Sequence, residues 1–235
     1  MKTIGVLGGM SWESSLEWYR LANERVRAQL GGHHSAPIVL DSLDFAEIEA
    51  LQAADDWDVA GSLLAEHARR LELAGADLIV LCTNTMHLVA DRITDAVSIP
   101  FLHIAEATAD AVNSAGLRTV GLLGTAFTME RPFYRERLES RGIEVLVPDA
   151  EDRAGVHAVI FDELVHGVIS SESRALYRQV IDRLVTRGAE GIILGCTEIE
   201  LLISAGDASV PVFPTTSLHV DAALAAAGLD ASCRF

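Results

Sequence analysis

Two places in the sequence carry the same set of reactive side chains. "LIVLCTNTMH", Leu78–His87, ends an apolar run in Cys82, Thr83, Asn84 and Thr85. "GIILGCTEI", Gly191–Ile199, ends another in Cys196, Thr197 and Glu198. A cysteine at the start of a helix faces unpaired N–H groups and the positive end of the helix dipole, both of which favour thiolate over thiol. The same N–H groups, with the Thr83 and Thr197 hydroxyls, can hold a carboxylate. A thiolate on one face of a carbon and a thiol on the other can remove a proton and return one from the opposite side. That is what inversion of a stereocentre by general acid–base chemistry requires. N–H donors in a low-dielectric cleft would stabilise the carbanion-like intermediate. A single cysteine at a strand end is ordinarily a small buried hydrophobe; the duplication is what points to chemistry. The third cysteine, Cys233, has no such surroundings and reads as an incidental tail thiol.

The elements that would position these thiols are short, continuously apolar strands alternating with amphipathic helices. Strands are expected at Thr3–Leu7, Pro37–Leu43, Asp77–Leu81, Arg118–Leu123, Ile143–Val147, Gly191–Leu194 and Pro211–Phe213. Runs apolar on both faces belong to parallel sheets covered by helices, so the class is α/β. Leu16, Tyr19, Val26 and Leu30 are read as one face of the first helix, and Leu63, Leu64 and Leu71 mark the helix before Cys82. The two halves repeat. "TIGVLGGMSWE" is matched by "TVGLLGTAFTME", "GADLIVLCTNT" by "GAEGIILGCTEI", and "IPF" by "VPVF", in the same order. Two similar α/β units are therefore expected. In parallel α/β sheets ligands bind at the carboxyl edge of the strands. If the units face each other about a pseudo-twofold axis, Cys82 and Cys196 meet across one cleft, lined also by "GGMS" and "GTAFT".

Bulk properties narrow the function. The 235 residues are half apolar, enough for one large or two small domains. A formal charge of −16 argues against a nucleic-acid partner and against an anionic membrane surface. No apolar run reaches a spanning length, "MKTIGVLGG" enters a strand without a cleavage site, and the three cysteines have no disulfide spacing, so a cytoplasmic setting is expected. No Cys or His cluster has metal-ligand spacing, so no metal is expected. Lys2 is the only lysine and precedes the first strand, which leaves no lysine for a pyridoxal imine. No cofactor is expected.

Other residues carry two readings each. "GVLGG" follows a first strand as a nucleotide loop would, but lacks GxGxxG spacing and a Walker lysine. His87 either tunes Cys82 or is a packed or capping histidine. His33, His34 and His103 have no ligand spacing. Gln52, in the acidic stretch "FAEIEALQAADDWD", lies on a solvated helix or on a lid. Thr125 and Thr128 could serve as helix caps.

Taken together, "GVLGGMSWES", "LCTNTMH" and "GCTEIELL" resemble the cofactor-independent aspartate/glutamate racemase superfamily. Its broad-specificity amino-acid racemase branch shares the GGMSWES and CTNTMH wording, and the resemblance covers essentially the whole chain. It implies two flavodoxin-like domains, 1–102 plus 213–235 and 103–212, with the last strand and helix returning to the first. It implies catalytic thiols at Cys82 and Cys196, a free amino acid as substrate, and a homodimer. Cys196 would take the proton from the L-enantiomer and Cys82 from the D-enantiomer. By the same resemblance Met10, Ser11, Gln52, Thr83, Asn84, Thr85, Thr125, Thr197 and Glu198 lie around the substrate. Members selective for aspartate carry an arginine where this chain has Gln52. A neutral amide there, with Glu198 adding negative charge, favours neutral polar substrates or broad tolerance.

Three alternatives stand beside this reading: an aspartate/glutamate-specific racemase; other carbanion chemistry on the same scaffold, as in hydantoin racemase, maleate isomerase or arylmalonate decarboxylase; and a two-lobed small-molecule binding protein. The last explains the threonines but not the duplicated thiols. Decarboxylases of this fold do not need a thiol pair.

Overall fold

A computed structural model describes residues 1–229; Cys233 lies outside them. Among the described residues there are eight strands: β1 Ile4–Gly8, β2 Ile38–Ser42, β3 Leu78–Leu81, β4 Phe101–Leu102, β5 Thr119–Gly124, β6 Glu144–Leu146, β7 Gly191–Gly195 and β8 Val212–Pro214. They form two four-stranded sheets of the same order, β2-β1-β3-β4 and β6-β5-β7-β8. Every pairing is parallel. The repeat seen in sequence is thus a repeat of topology. The chain divides into Met1–Ile104 with the segment from His219 onward, and Ala105–Leu218.

In the first unit, strand alternation separates two apolar layers. Ile4, Val6, Leu78, Val80 and Cys82 face one side, packing with Trp18, Ala22 and Val26 and with Val220, Ala223 and Leu224 of the last helix. Leu7, Ile79 and Leu81 face the other, against Leu64, Ala68 and Leu71 of the helix Trp57–Leu73. In the second unit Leu123, Ile192 and Leu194 pack with Tyr177, Val180 and Leu184 of the helix Ser171–Thr186.

Three expectations need correction. The strand β4 has only two residues, too short to show as a separate apolar run. The first helix, Trp12–Leu30, buries Ser14, Ser15, Trp18, Ala22 and Val26 instead of the expected leucine face. Of the residues expected there, Val26 alone is buried; Leu16 is 55 % exposed and Tyr19 49 %. Small side chains let this helix lie close to the sheet, and small residues leave a weak hydrophobic pattern. The third correction concerns the boundary. β8 hydrogen-bonds to β7 and stays in the second sheet, and only the following helix, Thr215–Ala226, carries the chain back from His219 on.

Candidate active site

Each sheet changes winding direction between its two central strands, β1 and β3 or β5 and β7, and a crevice opens at the carboxyl ends of such a pair. In the first unit Leu7 pairs with Leu81, so the loops after β1 and β3 lie side by side. In the second, Gly124 pairs with Gly195, with the same consequence after β5 and β7. Met10 and Ser11 follow β1, and Cys82, Thr83, Asn84 and Thr85 follow β3. Thr125 follows β5, and Cys196, Thr197 and Glu198 follow β7. The candidate residues thus form one group in each unit.

The loop after β1 is built around Gly9, whose φ is +88°. A Cβ there would sit 2.1 Å from the Leu43 carbonyl oxygen, so only glycine fits. The Gly9 N–H donates to Ser15 Oγ at 2.8 Å, and the Ser15 hydroxyl donates to the Ser11 carbonyl at 3.1 Å. Ser11 caps the first helix, accepting from the Ser14 N–H, and the two hydroxyls lie 3.3 Å apart. The second unit repeats the device: Thr125 caps the helix Ala126–Glu130 by accepting from the Thr128 N–H, with the hydroxyls 3.2 Å apart. Thr125 is therefore a helix cap, and Thr128 is the residue whose N–H it caps. A buttress that the sequence did not reveal is His157, whose Nδ1 accepts from the Ala126 N–H at 3.1 Å.

Cys82 continues the sheet ladder, its N–H donating to the Leu7 carbonyl at 2.9 Å. It is buried, and burial pushes its thiol well above the usual range. The helical turn that follows is a 3₁₀ segment, Thr85–Val89, beginning three residues after the cysteine. Cys82 is thus not at a helix start, and the expected activation by helix N–H groups does not operate there. His87 sits on that turn. Its Nε2 accepts from the Ile104 N–H at 3.1 Å, and its Nδ1 lies 2.7 Å from the Thr83 carbonyl. An amide only donates and a carbonyl only accepts, so the proton is on Nδ1 and the ring is a packed, neutral imidazole. Its ring centroid lies 4.5 Å from that of His103, with the two planes tilted by 58°.

Gln52 is buried with Ile48 on the inner face of the helix Phe45–Ala53. Its amide Nε2–H donates to the Met86 sulfur at 3.0 Å. It is therefore not a solvated surface residue, although its neighbours Glu47 and Glu49 are exposed. Met86 gave no signal in the sequence beyond its place in "CTNTMH".

Cys196 is the N-cap of the six-residue helix Thr197–Leu202. Burial, then the charge of Glu198 and its hydrogen bond, push this thiol well above the usual range. The N–H groups of Glu198 and Ile199 pull the other way and lose. The expected preference for thiolate is thus outweighed here by burial and by a neighbouring carboxylate. The Cys196 thiol donates to Glu198 Oε2 at 2.9 Å. Thr197 Oγ1 lies 2.9 Å from Thr216 Oγ1, and the Thr216 N–H donates to Glu200 Oε1 at 2.9 Å. Thr216 follows β8 at the same sheet edge, a position that "PTTS" marked only by its hydroxyls.

Two α/β units of one topology, each with Cys-Thr after its third strand, define a duplicated parallel-sheet protein with a thiol at each switch point. Residues 7–223 match the Asp/Glu/Hydantoin racemase family. The chain belongs to that family. A Yersinia pestis crystal structure described as a candidate Asp/Glu racemase is 55 % identical, covers 97 % of this chain and 99 % of its own, and superposes with a TM-score of 0.91. An aspartate racemase homologue from Pyrococcus horikoshii is 36 % identical, with coverage of 97 % and 99 % and a TM-score of 0.86. The broad-specificity amino-acid racemase RacX of Bacillus subtilis is 25 % identical over 166 residues, 69 % of this chain and 70 % of the relative.

Proposed function

We propose that this protein racemises free amino acids without a cofactor, using Cys82 and Cys196 on opposite faces of the substrate α-carbon. The observation that carries the reading is the thiol placed after the third strand of each of two sheets of identical order. Family membership supports it. In the direction from L to D, Cys196 acts as thiolate base. The Cα–H electron pair passes into the substrate carboxylate as an enolate, and the Cys82 thiol delivers its proton to the other face. Backbone N–H groups and hydroxyls around Ser11, Thr83, Thr85, Thr125 and Thr197 hold the carboxylate as its charge grows. Asn84 and Met10 complete the wall on the first unit. All of these steps use side chains and main chain; the sole lysine, Lys2, lies ahead of β1, away from the carboxyl edge.

For specificity, the neutral Gln52 supports neutral polar substrates or broad tolerance, in line with the breadth named for the Bacillus subtilis relative. The similarity to an aspartate racemase homologue supports aspartate or glutamate selectivity as a second reading. A panel of L-amino acids in D₂O, followed by NMR loss of the α-proton and by chiral chromatography, tests the reaction and ranks the substrates. A homodimer belongs to the same reading, with Trp12, Leu16 and Tyr19 as the exposed apolar face of the first helix; light scattering of the eluted protein decides it. Two free thiols suit a reducing cytoplasm.

A further inference from the structure

The two thiols are not equivalent. Cys82 lies in an apolar layer with Val80, Trp18 and Leu224. Cys196 donates its proton to a carboxylate, Glu198 Oε2, at 2.9 Å. Glu198 is 5 % exposed and sits two residues along the same short helix, so its carboxylate and the sulfur are held in one place. We propose that Glu198 is a catalytic residue that takes and returns the Cys196 proton, so that Cys196 and Glu198 act as one acid–base unit while Cys82 acts alone. This rests on the two-thiol reading above, and it gives Glu198 a different task from contacting the substrate.

The proton balance is simple. With one proton between them, the pair exists as thiol and carboxylate or as thiolate and carboxylic acid. In the second form the sulfur accepts the substrate α-proton while Glu198 keeps the other, leaving thiol and carboxylic acid. In reverse, the thiol protonates the enolate and the thiolate recovers its proton from Glu198. No proton need leave for solvent before abstraction. Cys82 packs in an apolar layer and burial raises its pKa, so its thiolate forms by losing a proton to water.

The surroundings fit a shared single charge. Tyr177 of the helix Ser171–Thr186 is buried, and its hydroxyl donates to the Val156 carbonyl at 3.0 Å, so its proton is already committed. Burial raises the Tyr177 pKa well above the usual value, and the charges of Cys196, Glu163 and Glu198 raise it further. Glu163 is in turn held by Ser170 and Ser173.

The pH dependence of α-proton washout separates the two thiols. Cys82→Ala leaves Cys196 to exchange the L-enantiomer, and Cys196→Ala leaves Cys82 to exchange the D-enantiomer. Between about pH 6 and about pH 9, washout by Cys82→Ala should be flat, because the proton moves within the pair. Washout by Cys196→Ala should climb ~10-fold per pH unit, because thiolate must first form. Adding Glu198→Gln to Cys82→Ala should convert the flat profile to the climbing one and lower the rate near neutrality by ~10–100-fold. Glu198→Asp in that background should keep the profile flat. A climbing profile in Cys82→Ala, or a flat one after Glu198→Gln, overturns the proposal. If no variant and not even the wild type exchanges any α-proton, it is the racemase reading that has failed. The pair is then judged by alkylation of Cys196 with iodoacetamide, followed by peptide mass spectrometry. Glu198→Gln should lower its pH midpoint by about one unit or more, and an unmoved midpoint overturns the pair.

Discussion

His87 ties Thr83 to Ile104: its Nδ1–H donates to the Thr83 carbonyl at 2.7 Å while its Nε2 accepts from the Ile104 N–H at 3.1 Å. The residue after the first thiol is thereby fixed to the start of the helix Ile104–Ser114. His87→Ala leaves a buried carbonyl and a buried amide without these bonds, at about 1–3 kcal/mol each. His87→Asn, which can still donate to Thr83, should lose less stability than His87→Ala in urea titrations. Equal losses would show that the Thr83 bond contributes nothing.

His219 makes a pH-dependent contribution. It is fully buried, its Nε2–H donates to the Leu102 carbonyl at 2.9 Å, and burial pushes its pKa down from 6.5 to about 4, against the Leu102 hydrogen bond. The unfolded chain therefore binds a proton that the folded chain rejects between these values. Stability is full above about pH 6.5 and falls as the pH drops toward about 4, by about 3 kcal/mol. In His219→Gln that part of the acid dependence should vanish. Parallel pH–stability curves for the two proteins would refute it.

The proposed function assigns side-chain preference to Gln52. In wild type, neutral substrates such as homoserine should exceed aspartate in kcat/KM. Gln52→Arg should shift the ranking toward aspartate by ~10–100-fold, as a charge-assisted contact worth ~1.5–3 kcal/mol replaces a neutral one. Met86 bears on this, because its sulfur accepts from the Gln52 amide; Met86→Leu should loosen the ranking without reversing it. A wild type already strongly selective for aspartate, or an unchanged ranking in Gln52→Arg, rejects this role.

Much of this was readable in the sequence because it is local. Cys82 and Cys196 each end an apolar run, and the repeat of "GADLIVLCTNT" as "GAEGIILGCTEI" anticipated two sheets of one order. What stayed hidden depends on distant partners or on size. His157 supports the Thr125 loop from 31 residues away, and Thr216 reaches Thr197 from 19. The first helix buries Ser15 and Ala22, which no apolar periodicity marks, and exposes Leu16 and Tyr19. The thiols depart from the sequence-based expectation for a physical reason. Helix N–H groups were visible in the pattern, but the burial that outweighs them was not.

The most direct measurement is proton exchange by the two single-thiol variants, with product chirality recorded in the same sample. In D₂O, Cys82→Ala should wash out the α-proton of the L-enantiomer while forming little D-product. Cys196→Ala should do so for the D-enantiomer. Racemisation should fall ~10²–10⁴-fold in both directions in each variant, since the enantiomers have equal free energy. Near wild-type racemisation in either variant would contradict the two-thiol account.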